Sequence, residues 1–146
     1  MINPFPILFP MEQLILHHYG FLTHNTVDWL AENELLLGNP FRVCGTIKIR
    51  SQKVNITFLQ QAAGAVFTEL IEPWEDNAKL QKMIKKGITV YHTGYLAATG
   101  QFDEVLSSFQ EKGIHALAPF ASEAFEGKRC VFVITRNVGM IEIIEQ

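Results

Sequence analysis

Two histidines and two glutamates recur in this chain at a common spacing. His18 opens His18-Tyr19-Gly20-Phe21-Leu22, and His92, 74 positions on, opens His92-Thr93-Gly94-Tyr95-Leu96. Glu69 opens Glu69-Leu70-Ile71-Glu72-Pro73, and Glu142, 73 positions on, opens Glu142-Ile143-Ile144-Glu145-Gln146. Both glutamates sit inside apolar runs, where an uncompensated carboxylate is costly. A divalent cation would compensate both at once. Two imidazoles and two carboxylates suit nickel, cobalt, manganese, iron or zinc. In an octahedral site, four protein donors leave two positions for water or substrate. His18, Glu69, His92 and Glu142 are therefore expected to hold one divalent metal ion, and the chain is an enzyme candidate.

Such a site needs elements that bring the four residues to one point. The spacing predicts a strand carrying a histidine, then about fifty residues later a strand carrying a glutamate, and then the whole unit again. Hydrophobic patterning agrees. Strands are expected over 14–23, 42–50, 54–59 and 66–71, with a helix from Asn25 or Thr26 through Leu36 that Gly38-Asn39-Pro40 ends. A helix with apolar Ala78, Leu80, Met83 and Ile84 lies in the link over 74–87. The second copy reads as a strand over 90–97, a helix over 101–112, and strands over 114–118, 128–135 and 139–145. The fold class is thus α+β: paired βαβββ modules forming a curved, partly open mixed sheet with flanking helices. Module one spans 14–73, the linker helix 74–88 and module two 89–146, together one domain. A repeated unit that cannot bury its sheet alone explains why there are two.

Along a strand, side chains alternate between faces. His18 shares a face with Gly20, and His92 with Gly94, so a glycine leaves room beside each histidine. The same alternation sends His17 to the opposite face and excludes it as a ligand. His24 and His115 have no spacing argument.

Bulk properties remove several classes. The 146 residues are 48% hydrophobic and 18% charged, enough apolar residues for a real core. A net charge of −3 argues against nucleic-acid binding, which needs a basic surface. Cys44 and Cys130 are too few for a disulfide scaffold and suggest a reduced, cytoplasmic protein. Residues 1–13 are apolar, with three prolines in the first ten residues and no early lysine or arginine. That pattern fits an extended arm packed on the domain or on a partner better than a signal peptide. No apolar run is long enough to span a membrane. Two small sheets with edges to cover predict a homodimer.

Several segments together carry a family resemblance: His17-His18-Tyr19-Gly20, Glu69-Leu70-Ile71-Glu72-Pro73, Tyr91-His92-Thr93-Gly94-Tyr95, Glu111-Lys112-Gly113-Ile114, Gly127-Lys128-Arg129-Cys130-Val131-Phe132 and Ile141-Glu142-Ile143-Ile144-Glu145. The chain resembles the vicinal oxygen chelate superfamily, which includes glyoxalase I, methylmalonyl-CoA epimerase, extradiol dioxygenases and bleomycin-resistance proteins. By position, His18, Glu69, His92 and Glu142 match its four ligand slots. The resemblance implies a metal-dependent lyase or isomerase acting through a metal-stabilised enediolate on a small α-oxygenated carbonyl compound or thioester. In the epimerases a separate glutamate removes the proton; here Ile56 fills that slot. In glyoxalase I a ligand glutamate is the base, which implies Glu142 as the catalytic base, with Glu69 second. Lys128 and Arg129 are weaker candidates for holding a substrate carboxylate or phosphate, and Lys82, Lys85 and Lys86 for meeting the phosphates of coenzyme A. The alternatives are a non-catalytic small-molecule-binding protein of the resistance type and an extradiol-type dioxygenase, for which Glu69 would be a surplus ligand.

Overall fold

A computed structural model describes residues 14–38, 41–61 and 64–146. The N-terminal arm expected over 1–13 lies outside the described residues. In chain order the elements are β1 (Leu14–Leu22), α1 (Thr26–Leu37), β2 (Phe41–Ile49), β3 (Val54–Gln61), β4 (Phe67–Pro73), α2 (Ala78–Lys85), β5 (Val90–Ala97), α3 (Phe102–Glu111), β6 (Phe120–Ala121), a short 3-10 turn at Glu123–Phe125, β7 (Arg129–Ile134) and β8 (Met140–Glu145). This is the expected βαβββ unit, twice.

The eight strands form one curled mixed sheet in the order β2-β3-β4-β1-β5-β8-β7-β6. Each module contributes four strands, and the second runs through the sheet as the reverse of the first. The modules join where β1 and β5 pair antiparallel. Within each module the histidine strand pairs parallel with the glutamate strand, β1 with β4 and β5 with β8. Parallel neighbours are covered on both faces, which accounts for the long apolar runs around Glu69 and Glu142.

Local chemistry sets the helix ends. Asn25 accepts from Asp28 N at the start of α1, and Gly38 closes that helix in the left-handed conformation, at φ 75. Asn77 accepts from Leu80 N at the start of α2. Module one packs Leu22, Ile49, Val54, Ile56 and Ile71 against Leu80 of α2. Module two packs Ala97, Val131, Val133 and Ile143 against Phe102 and Val105 of α3. Helix α1 buries no residue completely; its Trp29 rests on Phe21 and Phe41.

One expected strand is not formed. Residues 114–118 make a single bridge, Ala116 to Val133, with Leu117 N donating to Phe132 O and Ile134 N to His115 O. Pro119 follows directly, removing a backbone donor and restricting Ala118, and the paired segment shrinks to Phe120–Ala121. The polar loop expected before β7 instead folds as the 3-10 turn, which crosses to module one, where Ser51 Oγ donates to Glu123 Oε1. Among the described residues no helix is long and apolar enough to cross a membrane.

Candidate metal centre

Register places the four residues of the repeat around the seam of the modules. Gly20 pairs with Glu69 on β4 and with His92 on β5. Gly94 pairs with His18 on β1 and with Glu142 on β8. Each glycine therefore stands between the other module's histidine and its own module's glutamate. The reason for glycine is steric. A Cβ on Gly20 would lie 2.5–2.9 Å from three atoms of the His92 ring, and one on Gly94 would stand closer still to the His18 ring. The imidazoles lie across the bare backbone and turn their Nε2 atoms toward each other.

His18 is 0% exposed, Glu69 2%, and His92 and Glu142 4% each. The two Nε2 atoms are 2.8 Å apart. Glu69 Oε2 lies 2.9 Å from His18 Nε2 and 3.0 Å from His92 Nε2, and Glu142 Oε2 lies 3.4 Å from each. Glu69 Oε2 is close enough to pair with both rings, yet it makes no hydrogen bond. Four buried donors gathered this closely, one of them an unpartnered carboxylate oxygen, are aimed at a common point. Bonds of roughly 2.0–2.2 Å to one ion set neighbouring donors about 2.8–3.5 Å apart, the separations seen here. The residues fit a divalent metal ion, and the His/Glu set can hold one.

Without an ion the four groups still perturb one another. Burial alone would lower the His92 pKa, but the Glu142 and Glu69 carboxylates beside it push it up to about 9. Burial would raise Glu69, but His18 and His92 hold it down at about 2. Burial likewise opposes ionisation of Glu142, and the same two imidazoles bring its pKa below the ordinary carboxylate range.

His17 is not on the opposite face. Leu16 pairs with Tyr95 and His18 with Gly94, so His17 is an extra residue in a β-bulge that turns it toward the site. Its Nδ1 lies 2.9 Å from His18 Nδ1, and its ring meets Phe67 and Phe125. On β5 the register slips between His92 and Val90, leaving Tyr91 as the extra residue. His17 and Tyr91 stand 74 positions apart, as do Phe58, which pairs with Glu69, and Phe132, which pairs with Glu142. The spacing that exposed the ligands also marks these four. Single-strand alternation misplaces His17 and gives the other three no role, because an aromatic residue in a strand is ordinary and bulges are set by cross-strand pairing.

A small, partly open cavity of about 40 Å³ adjoins the centre, lined by Glu69, His92 and Glu142 and by Ile56, Tyr91 and Ser122 among others. Ile56 thus faces the centre, and no carboxylate stands at its place. Burial, then the nearby Glu142 and Glu69 charges, raises the Tyr91 pKa, so its hydroxyl stays a donor. Lys128 and Arg129 do not line this cavity. The Arg129 guanidinium is bonded to Asp103 and Glu145. Glu72, three residues after Glu69, accepts from Thr26 N at the start of α1 and takes no part in the centre. Lys82, Lys85 and Lys86 are exposed.

The comparisons with known proteins agree with this architecture. The sequence profile of the Glyoxalase/Bleomycin resistance protein/Dioxygenase superfamily matches residues 17–132, and the chain belongs to that superfamily. Its fold is similar to that of a hypothetical protein of Bacillus halodurans C-125 (TM-score 0.76, 22% identity, 91% of this chain and 94% of that one). It is also similar to methylmalonyl-CoA epimerase from Mycobacterium tuberculosis (TM-score 0.72, 16% identity, 89% and 86%). A Streptomyces coelicolor methylmalonyl-CoA epimerase in complex with 2-nitronate-propionyl-CoA gives TM-score 0.72 and 22% identity, over 92% and 99%. At these identities the likeness is one of fold. No curated protein sequence matches significantly.

Proposed function

We propose that this protein is a divalent-metal-dependent lyase or isomerase that moves a proton at the carbon next to an oxygenated carbonyl group. The observation that carries this reading is the convergence of four buried donors, two of them carboxylates, beside a small cavity that among the described residues has no separate carboxylate base. His18, His92, Glu69 and Glu142 would hold the ion. When bound, it would act as a Lewis acid for the negative charge that develops on the substrate oxygens.

The proton falls to a ligand carboxylate. Glu142 is the better base, because its oxygen stands farther from both imidazoles than that of Glu69. In this reading the Glu142 carboxylate takes the proton and can return it to the neighbouring carbon or oxygen. Glu69, held more tightly between the rings, stays an anchor. Tyr91 and Ser122 donate hydrogen bonds from the cavity wall to substrate oxygens.

The test combines metal analysis with proton exchange. Protein purified without chelator is expected to carry one divalent ion per chain and to exchange the α-proton of a bound 2-oxo or 2-hydroxy acid in D₂O. Glu142→Gln is expected to keep part of its metal and lose exchange by roughly a hundredfold or more. Absence of stoichiometric metal from the unaltered protein would sink the proposal. Full metal loading with ligand binding and no exchange would favour the non-catalytic binding alternative, in which the missing separate base is the reason for inactivity.

A further inference from the structure

The metal cavity cannot hold a whole substrate. Its 40 Å³ is room for on the order of three waters, enough for the reacting carbonyl and its neighbouring oxygen. A second chamber of about 300 Å³ opens beside it, and Ala124 and Phe125 of the 3-10 turn line both. Its volume reaches the range in which small-molecule pockets begin, about 300 Å³. Its wall is apolar and aromatic, built from Phe58, Phe67 and Ile47 with Gly45 and Cys44 at its outer side. His17 completes it and touches the metal ligand His18. Phe125 is the partition: its ring stacks on His18 at 6.0 Å and meets Phe58 at 5.8 Å.

Charge decides what such a chamber takes. Among the described residues no lysine or arginine lines either space. The α2 lysines are exposed on a helix that turns Leu80 to the inner cavity, and Arg129 is committed to two carboxylates. Among the described residues neither chamber offers a cation for phosphate. An aromatic group, by contrast, would meet the faces and edges of three phenylalanine rings at once.

On the functional reading above, we infer that the outer chamber binds an aromatic tail, so the substrate class is a 2-oxo or 2-hydroxy acid carrying a phenyl-sized group, with its oxygenated head in the inner cavity. Tail and head are linked past Phe125. Specificity then resides in the outer chamber and chemistry in the inner one.

Cys44 reports on this directly, since it is exposed in the chamber wall while Cys130 is buried. With the full-length, metal-loaded protein, calorimetry compares phenylpyruvate with pyruvate, and mass spectrometry follows alkylation of Cys44 by iodoacetamide. Phenylpyruvate is expected to bind roughly tenfold or more tighter than pyruvate and to slow Cys44 alkylation. Pyruvate is expected to bind without protecting the thiol. Gly45 lines the chamber, and a Cβ there meets no atom within 4 Å; Gly45→Leu is expected to lower the affinity for phenylpyruvate to that for pyruvate. Equal affinities with an unprotected Cys44 would overturn the inference while the metal-centre reading stands. If neither acid binds, that reading fails, and 3-phenylpropionate, which lacks the α-oxygen, still probes the chamber. Protection of Cys44 by it supports an aromatic site; no protection overturns one.

Discussion

At the residue scale the centre is four polar groups buried away from water, two of them carboxylates that need a compensating positive charge. In the metal-free protein the His92 pKa, which burial alone would depress, is pushed to about 9 by Glu142 and Glu69. Stability from that shift is fully present below its ordinary value of 6.5 and is lost as pH rises through 9. Glu69 runs the other way: held at about 2 against an ordinary 4.5, its contribution is present above 4.5 and lost as pH falls through 2. The chelator-treated protein is therefore expected to be most stable between about pH 4.5 and 6.5 and to weaken toward pH 9. A metal ion needs neutral imidazoles, so the loaded protein should not weaken over that alkaline stretch. Thermal melts from pH 5 to 9.5, with metal and with chelator, check this; two parallel curves would refute it. His17 supplies the other prediction at this scale. If it accepts the Nδ1 proton of His18, it leaves His18 Nε2 with its lone pair facing the centre. His17→Phe is expected to weaken metal affinity about ten- to a hundredfold, and His17→Asn, which restores an acceptor, to recover part of it. Competition with a metal indicator reads both, and unchanged affinity in His17→Phe would remove His17 from the site.

At the element scale the glycines decide whether the strands can meet. Gly94→Ala places a methyl group against the His18 ring, and Gly20→Ala one against the His92 ring. Overpacking of this kind costs about 1–3 kcal/mol and swings an imidazole off its axis. Both variants are expected to melt earlier and bind less metal, Gly94→Ala more severely because its approach is closer. Equal stability and equal metal content in the two variants and the parent would show that the rings have space to spare. Much of this scale was legible in the sequence. The bounds of β5 follow its apolar run, α3 follows its i, i+3, i+4, i+7 stripe, and the histidine and glutamate strands follow from the repeat. What escaped was non-local. Neither bulge is encoded in one strand's alternation, because each is a slip against a partner strand. The 3-10 turn at Glu123–Phe125 carries no periodic pattern of its own, and only its crossing to module one gives Phe125 a role. On α1 the apolar Val27, Leu35 and Leu36 are exposed, while Trp29 rests on Phe21 and Phe41.

At the scale of the whole molecule the centre ties two halves that otherwise meet mainly along β1 and β5. An ion held by one histidine and one glutamate from each module would crosslink them. Metal at about a hundred times its dissociation constant is expected to add about 2.7 kcal/mol and raise the melting temperature by roughly 5–10 °C. Because each ligand belongs to a single site, His18→Ala combined with His92→Ala should cost the metal-dependent part of stability only once. Scanning calorimetry with and without EDTA measures both quantities. A melting temperature indifferent to metal would separate the ion from the fold.

The exchange of glycines across the seam has a consequence for how such a chain can change. Gly20 makes space for His92, and Gly94 for His18, so neither half holds a complete set of compatible neighbours by itself. A substitution tolerated in one half is tolerated only against the matching state of the other. Chimeras that splice the first half of this chain to the second half of a relative will work when the relative keeps both reciprocal pairs and fail when it keeps one. Drift in either half is thereby yoked to drift in its twin, and the doubled sequence is held in step by sterics as much as by chemistry.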